Sequence, residues 1–473
     1  MPSIRFFRHS TQLFRYYIPT QFIVLGVVEF FLCVLALYLG LELRFPGGRW
    51  QASFGSFFPK GILYGGIMTL SMIALGAYQK QSGRFIEAVA LRIGGALLLG
   101  LVPLALTFYI APTLFLGRGV IALSVFFSYV FILATRLFYR RYIRERNMWS
   151  RVLVLGTGQS ASSILKAIKT GTLKNINVVG FVRLPGELQS DPSIKDVIAF
   201  NQPLVKYVEE KHIDEIVLAV NDQRLGLPVH ELLECKMSGI DILNLLTFFE
   251  RREGRIRVDL LYPSWLYLSD GFRESVSRRM GKRLFDIVVA VTLLPLLFPF
   301  MILAAISIFA ESGGKGPIFY SQTRIKQDGK PFQIYKFRSM SADAEKDGVA
   351  RWASKNDTRI TRVGSVLRKI RLDELPQLYN VFKGDMSFVG PRPERPDFVE
   401  QLKGKSTYYD ERHRVKPGLT GWAQIRYPYG ESIEDGIEKL QYDLYYVKNY
   451  SIFLDLLILL QTAEVVLLSK GAQ

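Results

Sequence analysis

KRLFDIVVAVTLLPLLFPFMILAAISIFA, residues 282–310, is as apolar as a membrane-crossing helix but carries Pro295 and Pro299 near its centre. Each proline removes a backbone donor and crowds the preceding turn, so two of them four residues apart predict a bent or broken helix. Two topologies follow. The segment is either a re-entrant helix-break-helix that enters one leaflet and returns, or a kinked fifth span. Everything after Ala310 then lies on the same side as the chain before Lys282, or on the opposite side.

The segments upstream set that side. A bilayer core takes about 20 apolar residues as a helix, and four runs qualify: Ile18 to Leu39, Gly61 to Tyr78, Ala88 to Ile110 and Val120 to Leu133. The basic stretches RFFRHSTQLFR (5–15) and RLFYRRYIRER (136–146) flank the set, whereas the loop from Ala111 to Gly119 holds only Arg118. Positive flanks mark the cytoplasmic side, so residues 1–145 read as a four-helix transmembrane bundle with both ends in the cytoplasm. Arg44, Arg49, Lys60 and Arg92 run against that count. A cleavable signal peptide is not expected, because the first run is too long and no small-residue cleavage site follows it.

Composition agrees with a membrane protein. Lys and Arg number 60 against 42 Asp and Glu, a formal charge of +18, while 49% of residues are hydrophobic. A basic balance of this size points to a basic cytoplasmic face or to anionic substrates. No nucleic acid partner is expected, because the apolar residues are concentrated in long N-terminal runs. The two cysteines, Cys33 and Cys235, offer neither a disulfide framework nor a thiolate metal site, and His9, His212, His230 and His413 lack metal-ligand spacing.

From residue 146 to 272 the pattern changes. Short apolar runs, RVLVLG, INVVGFV, DEIVLAV and GIDILNLL, alternate with helix-like stretches such as SASSILKAIKTG and LPVHELLECKMSG. Strands alternating with helices predict a parallel α/β sheet, a Rossmann-like cytoplasmic domain. GTGQSA, residues 156–161, follows the first strand as G-x-G-x-x-A and would let a pyrophosphate approach a helix N-terminus. The second strand ends in Arg183, where a nicotinamide site needs an acidic ribose partner. A scaffold that kept its tight first turn is the expected reading. Tyr207 and Lys211 have the Tyr-x-x-x-Lys spacing of short-chain reductases but lie on a helix face that reads as exposed.

Residues 273–473 form the third region. PIFYSQTRI and PFQIYKFRSM flank Asp328-Gly329, a hairpin signal. IFLDLLILLQTAEVVLLSK near the end scatters its polar residues and reads as an interfacial or packed helix. RKIRLDELPQLYNVFKGDMSFVGPRPERP, residues 368–396, carries the chemistry. Asp favours a helix start and Pro tolerates the first turn, which places Asp373 at or near an N-cap and Pro376 within the first turn. Neighbouring helical residues point about 100° apart, so Asp373 and Glu374 take different tasks, one facing a phosphorus and the other holding a metal. A carboxylate approaching a pyrophosphate needs a hard cation such as Mg²⁺ and Arg clamps. Lys336, Arg338, Arg368, Arg371 and Arg392 are the cations available for that.

Several motifs in fixed order resemble the bacterial sugar transferase family, the polyprenyl-phosphate hexose-1-phosphate transferases: KRLFD, IYKFRSM, LRKIRLDELPQLYNVFKGDMSFVGPRP and RVKPGLTGWAQI. LECKMSGI, LTFFERREGRI and PSWLYLSDGF are similar to its larger members, which add four spans and a degenerate α/β domain. The resemblance implies an inner-membrane enzyme that moves hexose 1-phosphate from a UDP-hexose to undecaprenyl phosphate and releases UMP, initiating polysaccharide assembly. It implies Asp373 as the nucleophile that forms a phosphosugar-aspartyl intermediate, and Glu374 as a Mg²⁺ ligand. Arg368 matches a phosphate-binding Arg, and Pro391-Arg392-Pro393 the motif set against the nucleotide; Lys336 and Arg338 are further expected anion contacts. UDP-sugars are cytoplasmic, which favours a monotopic α/β catalytic domain held by a re-entrant hairpin over 282–310. The family's hairpin often breaks at Ser-Pro, where this chain has Phe298-Pro299. Arg278, Arg279, Lys282 and Arg283 would anchor the hairpin at lipid headgroups, and a homodimer through the N-terminal part is expected. The rival readings are a membrane-bound NAD-dependent sugar-nucleotide dehydratase and a non-catalytic membrane scaffold or sensor.

Overall fold

The computed structural model describes residues 10–13, 16–78, 86–143, 149–185, 187, 190–198, 203–220, 226–272, 275–341, 359–427 and 432–467. The chain divides into two compact units, with the main boundary between Leu260 and Leu261.

In the first unit two short strands, β1 (Ser10–Leu13) and β2 (Tyr16–Pro19), lead into the helices α1 (Thr20–Arg44), α2 (Trp50–Phe54), α3 (Phe57–Ala74), α4 (Ile86–Ile110) and α5 (Arg118–Ile143). The four apolar runs thus become α1, α3, α4 and α5, each long and apolar enough to cross a membrane. Small residues let α1 and α5 approach closely: a Cβ on Gly40 would stand 2.6 Å from the Ser124 hydroxyl and 3.1 Å from the Val120 carbonyl. An ion pair is sealed between the same two helices. The Arg136 guanidinium donates to both Glu29 oxygens, at 2.6 and 3.0 Å, and the Tyr78 hydroxyl donates to the second at 2.5 Å.

The α/β part follows as β3 (Ser150–Leu155), α6 (Gln159–Lys169), β4 (Ile176–Val182), β5 (Val197–Ile198), α7 (Leu204–Glu210), β6 (Glu215–Leu218), α8 (Val229–Met237), β7 (Asp241–Asn244) and α9 (Leu245–Glu253). The strands form one parallel sheet in the order β5-β4-β3-β6-β7. A parallel sheet is buried on both faces, and one core cluster lies on each, around Val154 and Phe248 and around Leu153 and Val208. Tyr207 packs against the second cluster while Lys211 is exposed at the end of α7, so the pair forms no reductase site.

The main part of the second unit begins at Leu261, so PSWLYLSDGF belongs with it. Its α10 (Pro263–Leu268) buries Trp265, over whose ring Lys448 lies at 4.3 Å. Then come α11 (Val276–Glu311), β8 (Phe319–Ile325), β9 (Pro331–Phe337), α12 (Arg362–Lys369), α13 (Gln377–Lys383), β10 (Ser387–Val389), α14 (Pro396–Lys405), β11 (Gly418–Thr420), α15 (Trp422–Arg426), α16 (Ile433–Asn449) and α17 (Ile452–Leu467). The predicted hairpin forms, with β8 and β9 antiparallel and Asp328 and Gly329 turning at φ 60° and 70°. The C-terminal run forms α17, which packs inward through Leu454 and Ile458.

The expected break in residues 282–310 is corrected: α11 is one continuous helix with Pro295 and Pro299 inside it. Proline at i frees only the carbonyl at i−4. The two freed carbonyls, of Val291 and Pro295, lie one turn apart on the same face, which bends a helix without ending it. The headgroup anchors need correction too. Arg278 stacks on Tyr450 and donates to its carbonyl, Arg283 donates to the carbonyls of Val381 (2.6 Å) and Phe382 (2.7 Å), and Lys282 is buried against Asp455 at 2.6 Å. Of those four residues only Arg279 is exposed. The other three bond into the unit because carbonyls and a buried carboxylate lie within reach, and an unpaired charge there would be costly.

Candidate active site

The dyad sits where α12 gives way to α13. Thr361 caps α12 through its hydroxyl, which accepts from the Gly364 amide at 2.9 Å. Gly364 is required there, since a Cβ would stand 2.1 Å from the Ser339 carbonyl. After the helix, Arg371 takes the left-handed conformation, φ 60° and ψ 18°. That costs a residue with a side chain on the order of 1 kcal/mol and redirects the chain into a 3₁₀ turn, Leu372–Glu374. The cap of α13 is Pro376, so Asp373 is not the N-cap residue but lies inside the turn before it. The tight turn arises because the αL residue ends α12 and forces a new helical start at once.

Asp373 is 7% exposed. Burial pushes its carboxyl above the ordinary value and the Glu374 charge pushes the same way, against Lys336, Arg368 and Arg371. Glu374 behaves oppositely. Burial would raise it as well, but Lys336 and Arg392 hold its carboxyl far below the usual range. Lys336 Nζ lies 2.9 Å and Arg392 Nη2 3.0 Å from the same oxygen, Glu374 Oε1. Among the described residues Asp373 makes no hydrogen bond or ion pair within bonding distance. Two expected phosphate clamps therefore pair with Glu374, and Arg368 acts on Asp373 through its field. Arg338 follows β9 and donates to the Lys315 carbonyl at 3.3 and 3.4 Å.

Pro391 and Pro393 are buried on either side of half-buried Arg392. Every carbonyl of this loop is tied down: that of Pro391 accepts from the Gly418 amide (3.0 Å), that of Arg392 from Arg412 (2.9 Å) and that of Pro393 from Arg324 (3.1 Å). Arg412 is fixed in turn by Asp443, at 2.8 and 3.0 Å. The Tyr446 hydroxyl donates to the Val389 carbonyl, at 2.9 Å, just ahead of the loop.

Sequence reasoning missed the residues that brace this arrangement. Asn380 accepts from the Tyr335 amide (3.1 Å) and donates to the Gln333 carbonyl (2.7 Å), joining α13 to the strand that carries Lys336. Asp286 accepts from the Ser387 hydroxyl (2.8 Å) and the Phe388 amide (3.1 Å), fixing β10 against α11. A signal existed for Lys282, Asp286 and Asp455: each is a charge within or beside an apolar run, and a buried charge needs a partner. No three His, Cys, Asp or Glu side chains cluster as metal ligands among the described residues. An ionised Glu374 beside Asp373 still fits Mg²⁺, which binds through one or two carboxylates and completes its shell with water and substrate phosphate.

The family model described as bacterial sugar transferase matches residues 277–469, which hold the dyad, its cations and α11. Similar proteins cover more of the chain. A UDP-glucose:undecaprenyl-phosphate glucose-1-phosphate transferase of Xanthomonas campestris pv. campestris is 32% identical over 68% of this chain and 67% of its own length. An undecaprenyl-phosphate galactose phosphotransferase of Salmonella typhimurium is 31% identical over 73% of this chain and 74% of its own. The chain belongs to the bacterial sugar transferase family. A second family model, described as CoA-binding domain, matches residues 73–241. The UDP-N-acetylgalactosamine-undecaprenyl-phosphate N-acetylgalactosaminephosphotransferase of Aeromonas hydrophila is 40% identical over 55% of this chain, which spans 60% of that relative's length. These three transferases are named for three different sugars, so family membership alone does not choose the sugar.

Proposed function

We propose that this transferase moves hexose 1-phosphate from a UDP-hexose to undecaprenyl phosphate, releasing UMP, at a cytoplasmic membrane. The observation that carries the reading is the opposite treatment of two adjacent carboxylates, Glu374 pinned by Lys336 and Arg392 and Asp373 buried without a bonded cation among the described residues. Neighbouring titratable groups pushed apart by their surroundings mark divided roles. Asp373 in its ionised form attacks the β-phosphorus. The bond from that phosphorus to the bridging oxygen breaks, UMP leaves with the electron pair, and the hexose phosphate stays on the Asp373 oxygen. An undecaprenyl phosphate oxygen then attacks the same phosphorus and returns Asp373 as carboxylate. Arg368 and Arg371 offset the added negative charge, and the fixed Pro391-Arg392-Pro393 loop sets Arg392 beside the nucleotide phosphates. Glu374 would hold Mg²⁺, which when bound would supply charge neutralisation at the pyrophosphate.

The re-entrant topology belongs to the same proposal. Near one end of α11 Lys282 and Asp286 bond to α17 and β10, and near the other Ala304 and Ile308 pack with Phe337 and Leu367. Between them Leu294, Leu296, Phe298 and Phe300 are exposed. A helix fastened near both ends to one unit, with an apolar middle left uncovered, fits a dip into a leaflet better than a crossing. The dehydratase reading loses ground with the missing Tyr-Lys site.

The test is incubation of the protein with UDP-sugars and Mg²⁺, with and without undecaprenyl phosphate. One UMP per enzyme without the lipid and sustained release with it are expected; release that requires the lipid from the first turnover would exclude the covalent step.

A further inference from the structure

The turn between β3 and α6 has the geometry of a nucleotide phosphate site. Gly156 takes φ 121°, and a Cβ there would stand 2.6 Å from the Ala219 carbonyl. In dinucleotide-binding folds the amides of such a turn face a pyrophosphate. Here one of them, that of Thr157, faces a carboxylate of the same chain, while the Gly156 amide donates to the Val182 carbonyl at 2.8 Å. The Thr157 amide donates to both oxygens of Glu187, each at 3.0 Å, its hydroxyl donates to Oε2 at 2.9 Å, and the Leu184 amide donates to Oε2 at 3.2 Å. The surrounding segment is strapped to the same residue. The Asp191 amide donates to the Thr157 carbonyl at 2.7 Å, and the Ser190 and Thr157 hydroxyls share a hydrogen bond of 2.9 Å. Thr157 is left with no exposed surface. The acidic residue missing at the end of β4 is thus present five residues beyond Val182, and it turns toward the phosphate turn instead of a ribose.

We infer that Glu187 is the built-in anion of this turn and closes it to the pyrophosphate of ADP-containing ligands, CoA among them. Two physical effects combine. The charged acceptor satisfies donors that a phosphate would use, through charge-assisted bonds stronger than neutral ones. Being tethered within the domain, it also competes at the high effective concentration of an intramolecular partner. The inference stands on the α/β domain alone, independent of the chemistry proposed at Asp373.

The test uses the full-length protein in detergent, with ADP as the probe, comparing wild type with Glu187→Ala and Glu187→Gln by equilibrium dialysis. Nucleotide binding at Asp373 is common to all three and cancels in the comparison. Glu187→Ala is expected to bind ADP at least tenfold more tightly at an additional site, with a smaller gain for Glu187→Gln, whose amide keeps the shape and loses the charge. The glutamine variant also carries the test if the alanine protein does not fold. Equal binding in wild type and variant, whether measurable or absent, would overturn the inference.

Discussion

Replacing Asp373 with Asn should abolish turnover and make the protein more stable at neutral pH. The side chain is 7% exposed, adjoins Glu374, and keeps its carboxyl above the ordinary value despite three nearby cations. Ionising it therefore costs the folded state more than it costs the unfolded chain. Each pH unit of upward displacement costs about 1.4 kcal/mol once the group ionises, and the isosteric amide removes that cost. A rise in the unfolding midpoint is expected, each kcal/mol gained being worth roughly 2–4 °C in a domain of this size. The sign with pH follows. A folded-state value above the unfolded one means that the folded protein binds the proton more tightly, so wild-type stability falls as pH rises from the ordinary carboxylate range through the raised value. The variant's advantage should vanish near pH 4 and grow above it, while wild-type UMP release, which needs the ionised form, rises over the same interval. Loss of the proposed covalent nucleophile should lower turnover by roughly 10⁴-fold or more. Thermal unfolding at several pH values, paired with UMP release, measures both. A variant less stable than wild type at pH 7, or one that still releases UMP, would refute the reasoning.

Three further outcomes can be checked. Cysteines introduced for exposed Lys174 and Lys330 should both be shielded from a membrane-impermeant thiol reagent in intact cells and both labelled after lysis; labelling from opposite sides would mean that α11 crosses. His413 is held down to about 4 by burial and by the Arg412 charge, a depressed folded value, so its contribution is present above about 6.5 and lost as pH falls toward 4. His413→Asn should flatten that acid limb in a pH series of unfolding midpoints. Arg136→Met strands the fully buried Glu29 carboxylate and should cost about 3–5 kcal/mol, most of it recovered in the double variant with Glu29→Gln when unfolding in detergent is compared.

The sequence already marked most elements, because their signals are local: four apolar runs, the alternation from Arg151 to Leu246, and Asp328-Gly329 between two strands. The two-residue strand β5 was too short to show a period. The dyad was legible as residues, but its state was not. Glu374 is set by Lys336, 38 residues earlier, and Arg392, 18 residues later, and no periodicity reports pairings of that range. The same distance hid Lys282, whose partner lies 173 residues away, and the basic cluster around it then looks like a lipid anchor. Pro295 and Pro299 signalled a change in α11 but not its degree, since a freed carbonyl permits a bend as readily as a break.

The two carboxylates also explain why the basic residues are unequally placed. A carboxylate that accepts from both Lys336 and Arg392 through one oxygen has its charge committed and would attack phosphorus poorly, whereas it can hold a cation through the other oxygen. Asp373 feels Lys336, Arg368 and Arg371 as a field only. In the proposed reaction that field keeps the ionised form within reach without a direct bond that would have to break before attack. Exchanging the two environments, by giving Asp373 a bonded cation, would therefore lower its basicity and its reactivity together. In the proposed reaction the left-handed turn at Arg371 has a purpose: it sets Asp373 in a 3₁₀ turn ahead of α13, buried but unclamped, while the next residue along takes the ion pairs.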